Sequence, residues 1–546
     1  MSSPGQNLKA GTWALAALPL VFLGYFFFYP LVSIVVTSLT REGSLDLTPF
    51  SDVLTSSSLL GVAWFTLWQA AASTVLTLVA ALPVAYVLAR YQFPGKRLLR
   101  ALITIPFVLP TVVVGSAFLA LFGSASPLGL NLTRTIWIIL LAHLFYNFAV
   151  VVRTVGGLWS HIDPRMEEAA RALGASRWQA FRDITLPLLR PALAAASSIV
   201  FLFTFTSFGV ILILGELRFA TLEVEIFRQT TAFLNFGVAA ALAVLQLVGV
   251  TLILWAYSRY QERRSVSLSL KPEALVAKRP ASGRARLMVA GVVVYVGLLL
   301  GTPLVLLIQR SLSVDGALGL DFYRALGESR RGSTAFISPL EAIGNSLWIA
   351  VVATIVALIV GISAAAVIAM RQSRASRFFD VLLMLPLGTS AVTIGFGMLV
   401  ALDWPVDLRS LTVLIPLGHA LVAIPFVVRI AVPVLRSIRP ELRQAAAVLG
   451  ASPGRVWREL ELPIAARAMA VSAGFAFAIS LGEFGATSFI ARPDTPTLPV
   501  AIFRFLGQPG AINFGQAMAM STILMAVTAL VILAVDRFRV GELGEF

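Results

Sequence analysis

Few residues in this sequence could do chemistry, and their spacing mostly says what they cannot do. There is no cysteine, so disulfides, thiolate metal sites and a cysteine nucleophile are excluded. The three histidines, His143, His161 and His419, are too few for a histidine-rich metal site. His143 and His419 read as satisfied helix histidines rather than a metal pair. No Gly-x-x-x-x-Gly-Lys-Ser/Thr run occurs. The nearest fragment, Phe93-Pro94-Gly95-Lys96, lacks the glycine-rich loop and the hydroxyl that cradle phosphates. No Ser/His/Asp grouping stands out either, so the chain reads as a non-enzyme with no cofactor or metal of its own. One acid stands out. Glu483, at the end of an apolar run, marks a solute pathway by default and would attract a cation. Its plainer reading is an end-of-helix carboxylate reaching water. Trp68 and Trp348 read as packing or interface anchors, and Arg153 and Arg429 as anchors at span ends.

The segment with the most distinct chemical character is polar and basic, and it occurs twice. Residues 163–191 read DPRMEEAARALGASRWQAFRDITLPLLRP, and residues 439–468 read RPELRQAAAVLGASPGRVWRELELPIAARA. Gly174 matches Gly450 and Pro187 matches Pro463, each pair 276 residues apart. Each copy is expected to fold as helix, turn, helix. Pro164 and Pro440 suit a first helical position, where a missing N–H costs nothing. Asp163 can cap its helix and Arg439 cannot. Met166, Ala169, Ala170 and Leu173 recur at i, i+3, i+4, i+7, as do Leu442, Ala445, Ala446 and Leu449. That spacing lays a narrow apolar stripe on one face, shallow at the alanines, which a partner can approach closely. Gly174 and Gly450 fit a turn that needs positive φ. Ser176 restarts a helix with Gln179 as capping-box partner, and Pro453 opens the second restart. The Leu-Pro pairs at 186–187 and 462–463 are expected to turn the chain out of α geometry before the next apolar span.

These segments interrupt a very apolar chain. It is 58% hydrophobic and 13% charged, with mean hydropathy +0.88, as for an integral membrane protein. The first apolar run is too long for a signal-peptide core and reads as a retained span. Apolar runs predict twelve spans. In the first half they fall near 13–39, 59–89, 101–122, 134–155, 191–214 and 236–257. In the second they fall near 287–309, 344–370, 379–402, 411–432, 468–490 and 515–535. The chain divides into a first unit (1–257, core 59–257), a basic linker (258–286) and a second unit (287–546, core 343–536). The halves repeat beyond the polar segments: His143 and Arg153 match His419 and Arg429, and Phe208-Gly209 match Phe484-Gly485, at the same offset. An even number of spans per half makes the repeats parallel. The net charge of +15 concentrates on alternate loops, 90–100, 153–190, the linker, 371–377 and 429–467. By the positive-inside rule these face the cytoplasm, as do both termini, and nucleic-acid binding is not implied. The loop 310–334, with Arg310, Arg324, Arg330 and Arg331, is an exception, partly balanced by Asp315, Asp321 and Glu328.

The doubled segment resembles the EAA motif of the membrane permeases of ATP-binding-cassette importers: Glu-Ala-Ala, three residues, Gly, then Leu-Pro. Glu168, Ala169, Ala170, Gly174 and Pro187 match in the first copy. In the second, Ala445, Ala446, Gly450 and Pro463 match, and Gln444 replaces the glutamate. The resemblance implies an all-α polytopic fold of two fused six-span units of the type I importer kind, in a bacterial or archaeal cytoplasmic membrane. It implies that each copy is a cytoplasmic coupling helix seated on one of two separate ATP-binding subunits, which bind the ATP. It also implies that an extracytoplasmic solute-binding protein delivers the cargo. The layout looks like thiamine and ferric-iron permeases, with thiamine favoured. A pathway is expected around Ser207, Phe208, Gly209, Glu483, Phe484 and Gly485, where glycine permits close approach or a local helix break. An ion-coupled secondary transporter would also have twelve spans, but it would leave the doubled segment unexplained.

Overall fold

The computed structural model describes residues 15–41, 43–124, 126, 129–215, 218–264, 271–272, 276–314, 317–327, 338–370, 373–438 and 440–538. Asp315, Glu328, Arg330, Arg331, Arg371 and Arg439, and parts of the linker, lie outside that set. Among the described residues the chain is α-helical apart from two short antiparallel hairpins. Thr40–Arg41 pairs with Ser44–Leu45, and Ser313–Val314 pairs with Ala317–Leu318. Among the described residues, ten helices are long and apolar enough to cross a membrane, or up to twelve if two bent pairs count as one span each.

The bent pairs fall on the third expected span of each half. Lys96–Val108 and Thr111–Phe122 meet at 105°, and Arg374–Gly388 and Ala391–Ala401 at 97°. In the first pair, Leu109 precedes Pro110 and is pushed to an extended ψ of 141°, which stops the helix. In the second, the Ser390 side chain accepts from the N–H groups of Val392 and Thr393 and starts a new helix.

The Leu-Pro expectation is also overturned. Arg177–Phe205 and Gly454–Gly482 are each one continuous helix of 29 residues, running straight through Pro187 and Pro463. A π turn makes this possible. Four π turns occur among the described residues: Gly24–Phe28, Phe181–Thr185, Gly297–Gly301 and Trp457–Glu461. Each stops two residues before a proline, Pro30, Pro187, Pro303 or Pro463. A proline ring crowds the carbonyl four residues back and offers it no N–H. Widening that turn by one residue moves the carbonyl aside, and the helix continues.

The helices gather into two compact units. Among the described residues, one comprises 15–51, Ile226–Val244 and 311–538; the other comprises Asp52–Glu225 and Leu245–Arg310. The first span of each half therefore packs with the helices of the other half. Tyr25 donates to the carbonyl of Trp404 at 3.2 Å, and Tyr295 to that of Ala80 at 3.3 Å. Within each unit the most buried span is Ile136–Trp159 or Leu414–Ser437. Small residues let neighbours approach these central helices. A Cβ added at Gly361 would stand 2.7 Å from Val427, and one at Gly156 would touch Ala85 at 3.6 Å.

Candidate functional site

The first polar segment folds as its residues dictate. Asp163 Oδ1 accepts from the Arg165 N–H at 3.1 Å, opening the helix Arg165–Ala172. Gly174 closes it at φ +97°. Ser176 and Gln179 then form a reciprocal capping box, at 2.8 and 3.2 Å, and start the long helix Arg177–Phe205. None of the residues of Arg165–Ala172 is buried. Met166, Leu173 and Trp178 stand 46%, 90% and 66% exposed, so the apolar stripe is uncovered. The second copy has the same plan: helix Pro440–Val448, Gly450 at φ +80°, and a restart at Pro453. There Leu442, Val448 and Leu449 are exposed.

The two copies are held differently. Glu167 accepts from Thr185 and lies 3.5 Å from the Arg90 guanidinium, which also donates to the Ile162 carbonyl at 2.8 Å. Asp163 pairs with Lys271, whose hydrogen bond holds the carboxyl below the usual carboxylate range. Glu168, the motif glutamate, pairs with Lys278 at 3.1 Å. The linker thus reaches back to the first copy. Its backbone is fixed there too, Lys271 to His161 and Lys278 to both Arg90 and Gln92, each at 3.0 Å. The repeat-equivalent positions of Arg90, Asp163, Glu167, Glu168 and Thr185 are Met370, Arg439, Arg443, Gln444 and Glu461, so the sequence provides none of these ties a second time. The second copy leans instead on an apolar cluster of Ala365, Ala366, Ala431, Leu435, Ile438 and Ala465, with Trp457 packed against it.

Each long helix carries the glycine turn of its polar segment at one end and a break at the other. At about 1.5 Å per residue, 29 residues make a rod on the order of 43 Å long. The first rod breaks at Thr206–Phe208 before the helix Gly209–Leu214, and the second at Glu483–Ala486 before Thr487–Ile490. These breaks hold five of the six residues expected to line a pathway, and Gly209 opens the helix after the first; the structure places Ser207, Phe208, Gly209, Glu483 and Phe484 among buried residues, with Gly485 half-buried. Glu483 does not reach water, contrary to the plainer expectation. Its carboxylate accepts from the N–H groups of Ala486 at 2.8 Å and Thr487 at 2.9 Å and from the Thr487 hydroxyl. Glycine serves close packing here: an added Cβ would lie 2.9 Å from Ala391 at Gly485 and 2.6 Å from Ala486 at Gly395.

Two buried acids went unnoticed in the sequence. Glu223 is fully buried and accepts from Gln246, and Glu225 is 8% exposed. They lie in a short helix, Leu222–Thr231, outside the expected spans, where an acid draws no attention. Trp68 and Trp348 are 43% and 40% exposed on their span surfaces. Among the described residues, no group of three or more His, Asp or Glu is placed to hold a metal ion.

Comparison with known proteins bears on this geometry. Residues 81–266 and 333–539 each match the model of the binding-protein-dependent transport system inner membrane component. A probable ABC transporter permease, y4fN of Sinorhizobium fredii, is 24% identical, with 95% of both chains covered. The thiamine transport system permease ThiP of Escherichia coli is 26% identical, over 84% of this chain and 86% of that one. The sulfate transport system permease CysT of the same organism is 32% identical over 48% of this chain and 94% of its own. The doubled match spans most of the sequence and falls once on each repeat, so the chain belongs to the family of binding-protein-dependent transport system inner membrane components, as a permease with two fused copies of the unit.

Proposed function

We propose that this permease imports a small solute, driven by two separate ATP-binding subunits that seat on residues 163–191 and 439–468. A solute-binding protein delivers the cargo from the opposite side of the membrane, and both termini face the cytoplasm. The observation that carries this reading is the exposed apolar stripe at the foot of each rod. An uncovered stripe beside a fixed turn fits a partner's groove, and the continuous helix gives that partner a lever into the core. Glu168, Ala169, Ala170, Gly174 and Pro187 form the first seat, and Gln444, Ala445, Ala446, Gly450 and Pro463 the second. ATP closing the partner dimer would move both seats and switch the units between inward and outward access.

Thiamine is the favoured cargo. Support comes from the similarity to thiamine permeases, which runs over most of the chain and through both halves. Sulfate is the second reading, favoured by the higher identity to a sulfate permease over half the chain. The test is stimulation of ATP hydrolysis in the assembled transporter by its binding protein loaded with thiamine, sulfate or ferric iron. Thiamine-loaded protein should stimulate at least several-fold. Stimulation by sulfate or iron, with none by thiamine, refutes the thiamine assignment.

A further inference from the structure

Each half buries one histidine at the same repeat position, on its central helix, and neither lies in a coupling seat. His143 Nε2 meets Ser207 Oγ at 2.8 Å, inside the first break, while Nδ1 meets Ser73 Oγ at 3.0 Å on the helix Ser57–Arg90. His419 spans the second break. Its Nδ1 meets Ser480 Oγ at 2.7 Å before the break, and its Nε2 meets Thr487 Oγ1 at 2.7 Å after it, with Glu483 Oε2 at 3.3 Å. One assignment of donors and acceptors serves all of these contacts. Ser480 donates to Nδ1, Nε2 donates to Thr487, and the Thr487 hydroxyl donates to the Glu483 carboxylate.

In both halves the partners closest to the ring are hydroxyls, but they come from different places. The first break offers the Ser207 hydroxyl, the second is flanked by the Ser480 and Thr487 hydroxyls with the Glu483 carboxylate beside them, and residue 353, the repeat equivalent of Ser73, is alanine. Ser480 takes over the second contact from another helix. What persists is a ring that ties the break down: His143 holds Ser207 within the first, and His419 bridges Ser480 and Thr487 on either side of the second. We infer that His143 and His419 are positioning residues for transport, each pinning the break at the far end of the rod that begins at a coupling turn. The inference rests on the importer reading of those turns.

The mechanical reason is simple. Backbone bonding is thin at each break: Ser207 N reaches Thr204 O, and Glu483 N reaches Ser480 O, both only at 3.4 Å. A push along the rod would be absorbed there by backbone rotation unless side chains hold it. Thr221 adds to the first clamp by donating to the Ser207 carbonyl at 3.0 Å. With the break clamped, displacement of the coupling turn moves the short helix beyond it, Gly209–Leu214 or Thr487–Ile490.

The test uses the whole permease with its ATP-binding subunits and binding protein, carrying His143→Ala, His419→Ala or the corresponding Gln substitutions. Losing a buried hydrogen-bond pair should open the break about tenfold more often. In hydrogen exchange on the membrane-embedded permease, the amides of Ser207, or of Ala486 and Thr487, should exchange about tenfold faster, with the rod itself unchanged. Solute moved per ATP hydrolysed should fall about tenfold while hydrolysis and subunit co-purification stay near wild type. The glutamines should restore part of both. Wild-type coupling in the alanine variants overturns the inference. So does a joint fall in uptake, hydrolysis and co-purification for Ala and Gln alike, which is a packing role. Should the alanine variants fail to insert, Ser73→Ala and Ser480→Ala keep the ring, remove one contact each, and are read by the same measures. Exchange needs no transport, so a wild type that imports nothing would count against the importer reading and leave the clamps to be judged by their amides.

Discussion

Replacing Gly174 tests the lever at its foot. Its φ is +97°, and a Cβ added there meets nothing within 4 Å. Any penalty therefore comes from the backbone and not from a clash within this chain. An L-residue forced into left-handed geometry costs about 1–2 kcal/mol, with more for a β-branched side chain. About 1.4 kcal/mol is a tenfold loss of the native turn. Gly174→Ala should thus populate the correct turn roughly tenfold less favourably, and Gly174→Val less still. Asn tolerates left-handed geometry best among the larger residues, so Gly174→Asn should lie between glycine and alanine. This order separates backbone geometry from bulk, because a clash with a docked subunit would rank Asn below Ala. Gly454 has equal space and no positive φ, so Gly454→Ala is the control. The assay is ATP-driven uptake alongside membrane insertion: uptake should fall in the order Gly, Asn, Ala, Val while insertion holds. A Gly174→Val permease with wild-type uptake refutes the reasoning.

Other outcomes follow from the same geometry. Glu168→Ala should weaken co-purification of the ATP-binding subunit more than Gln444→Ala, because only the first removes a charged partner; equal losses would contradict the asymmetry. Lys278→Ala should leave docking intact or improve it, since an exposed pair with Glu168 contributes about 0–1 kcal/mol and yields readily to a better partner. The Asp163–Lys271 tie lowers the Asp163 pKa, so its stabilisation is complete above the unfolded value of about 3.9 and fades as pH falls through the lower folded value. Lys271→Gln should therefore speed proteolysis of the linker at neutral pH, and pH 5 should not affect the wild type. Single cysteines at Ser207, Gly209, Glu483 and Gly485 meet no native cysteine. Ser207, Gly209 and Glu483 are buried and Gly485 half-buried, so they should resist an impermeant thiol reagent at rest and label only with ATP and binding protein present, if a pathway opens there. Inertness in every state places the pathway elsewhere.

Much of the coupling geometry was legible because it is local. A left-handed glycine, a Ser-x-x-Gln box and a helix-opening proline act within a few residues, and all three appear where the sequence puts them. The bend inside each third span was not legible because hydropathy sums over a window and is blind to direction: Leu109-Pro110 and Ser390 turn the chain without changing its apolar character. The prolines misled in the opposite sense. Pro187 and Pro463 look like stops, and only the four-fold coincidence of π turn and proline explains their passage. The first spans did carry a signal, Pro30-Leu31-Val32 against Pro303-Leu304-Val305, 273 residues apart rather than 276. The histidine clamps were half visible. His143 and His419 align, but Ser73 aligns with Ala353, so the partner that closes each ring comes from a different helix in each half.

The most direct test of the account is its energy source. The purified permease is reconstituted in liposomes with its ATP-binding subunits and thiamine-loaded binding protein, and accumulation is followed with ATP or with an imposed proton or sodium gradient. The account predicts accumulation only with ATP and both partners, abolished when the subunits are left out. Accumulation by the permease alone, driven by an ion gradient without ATP, would contradict it.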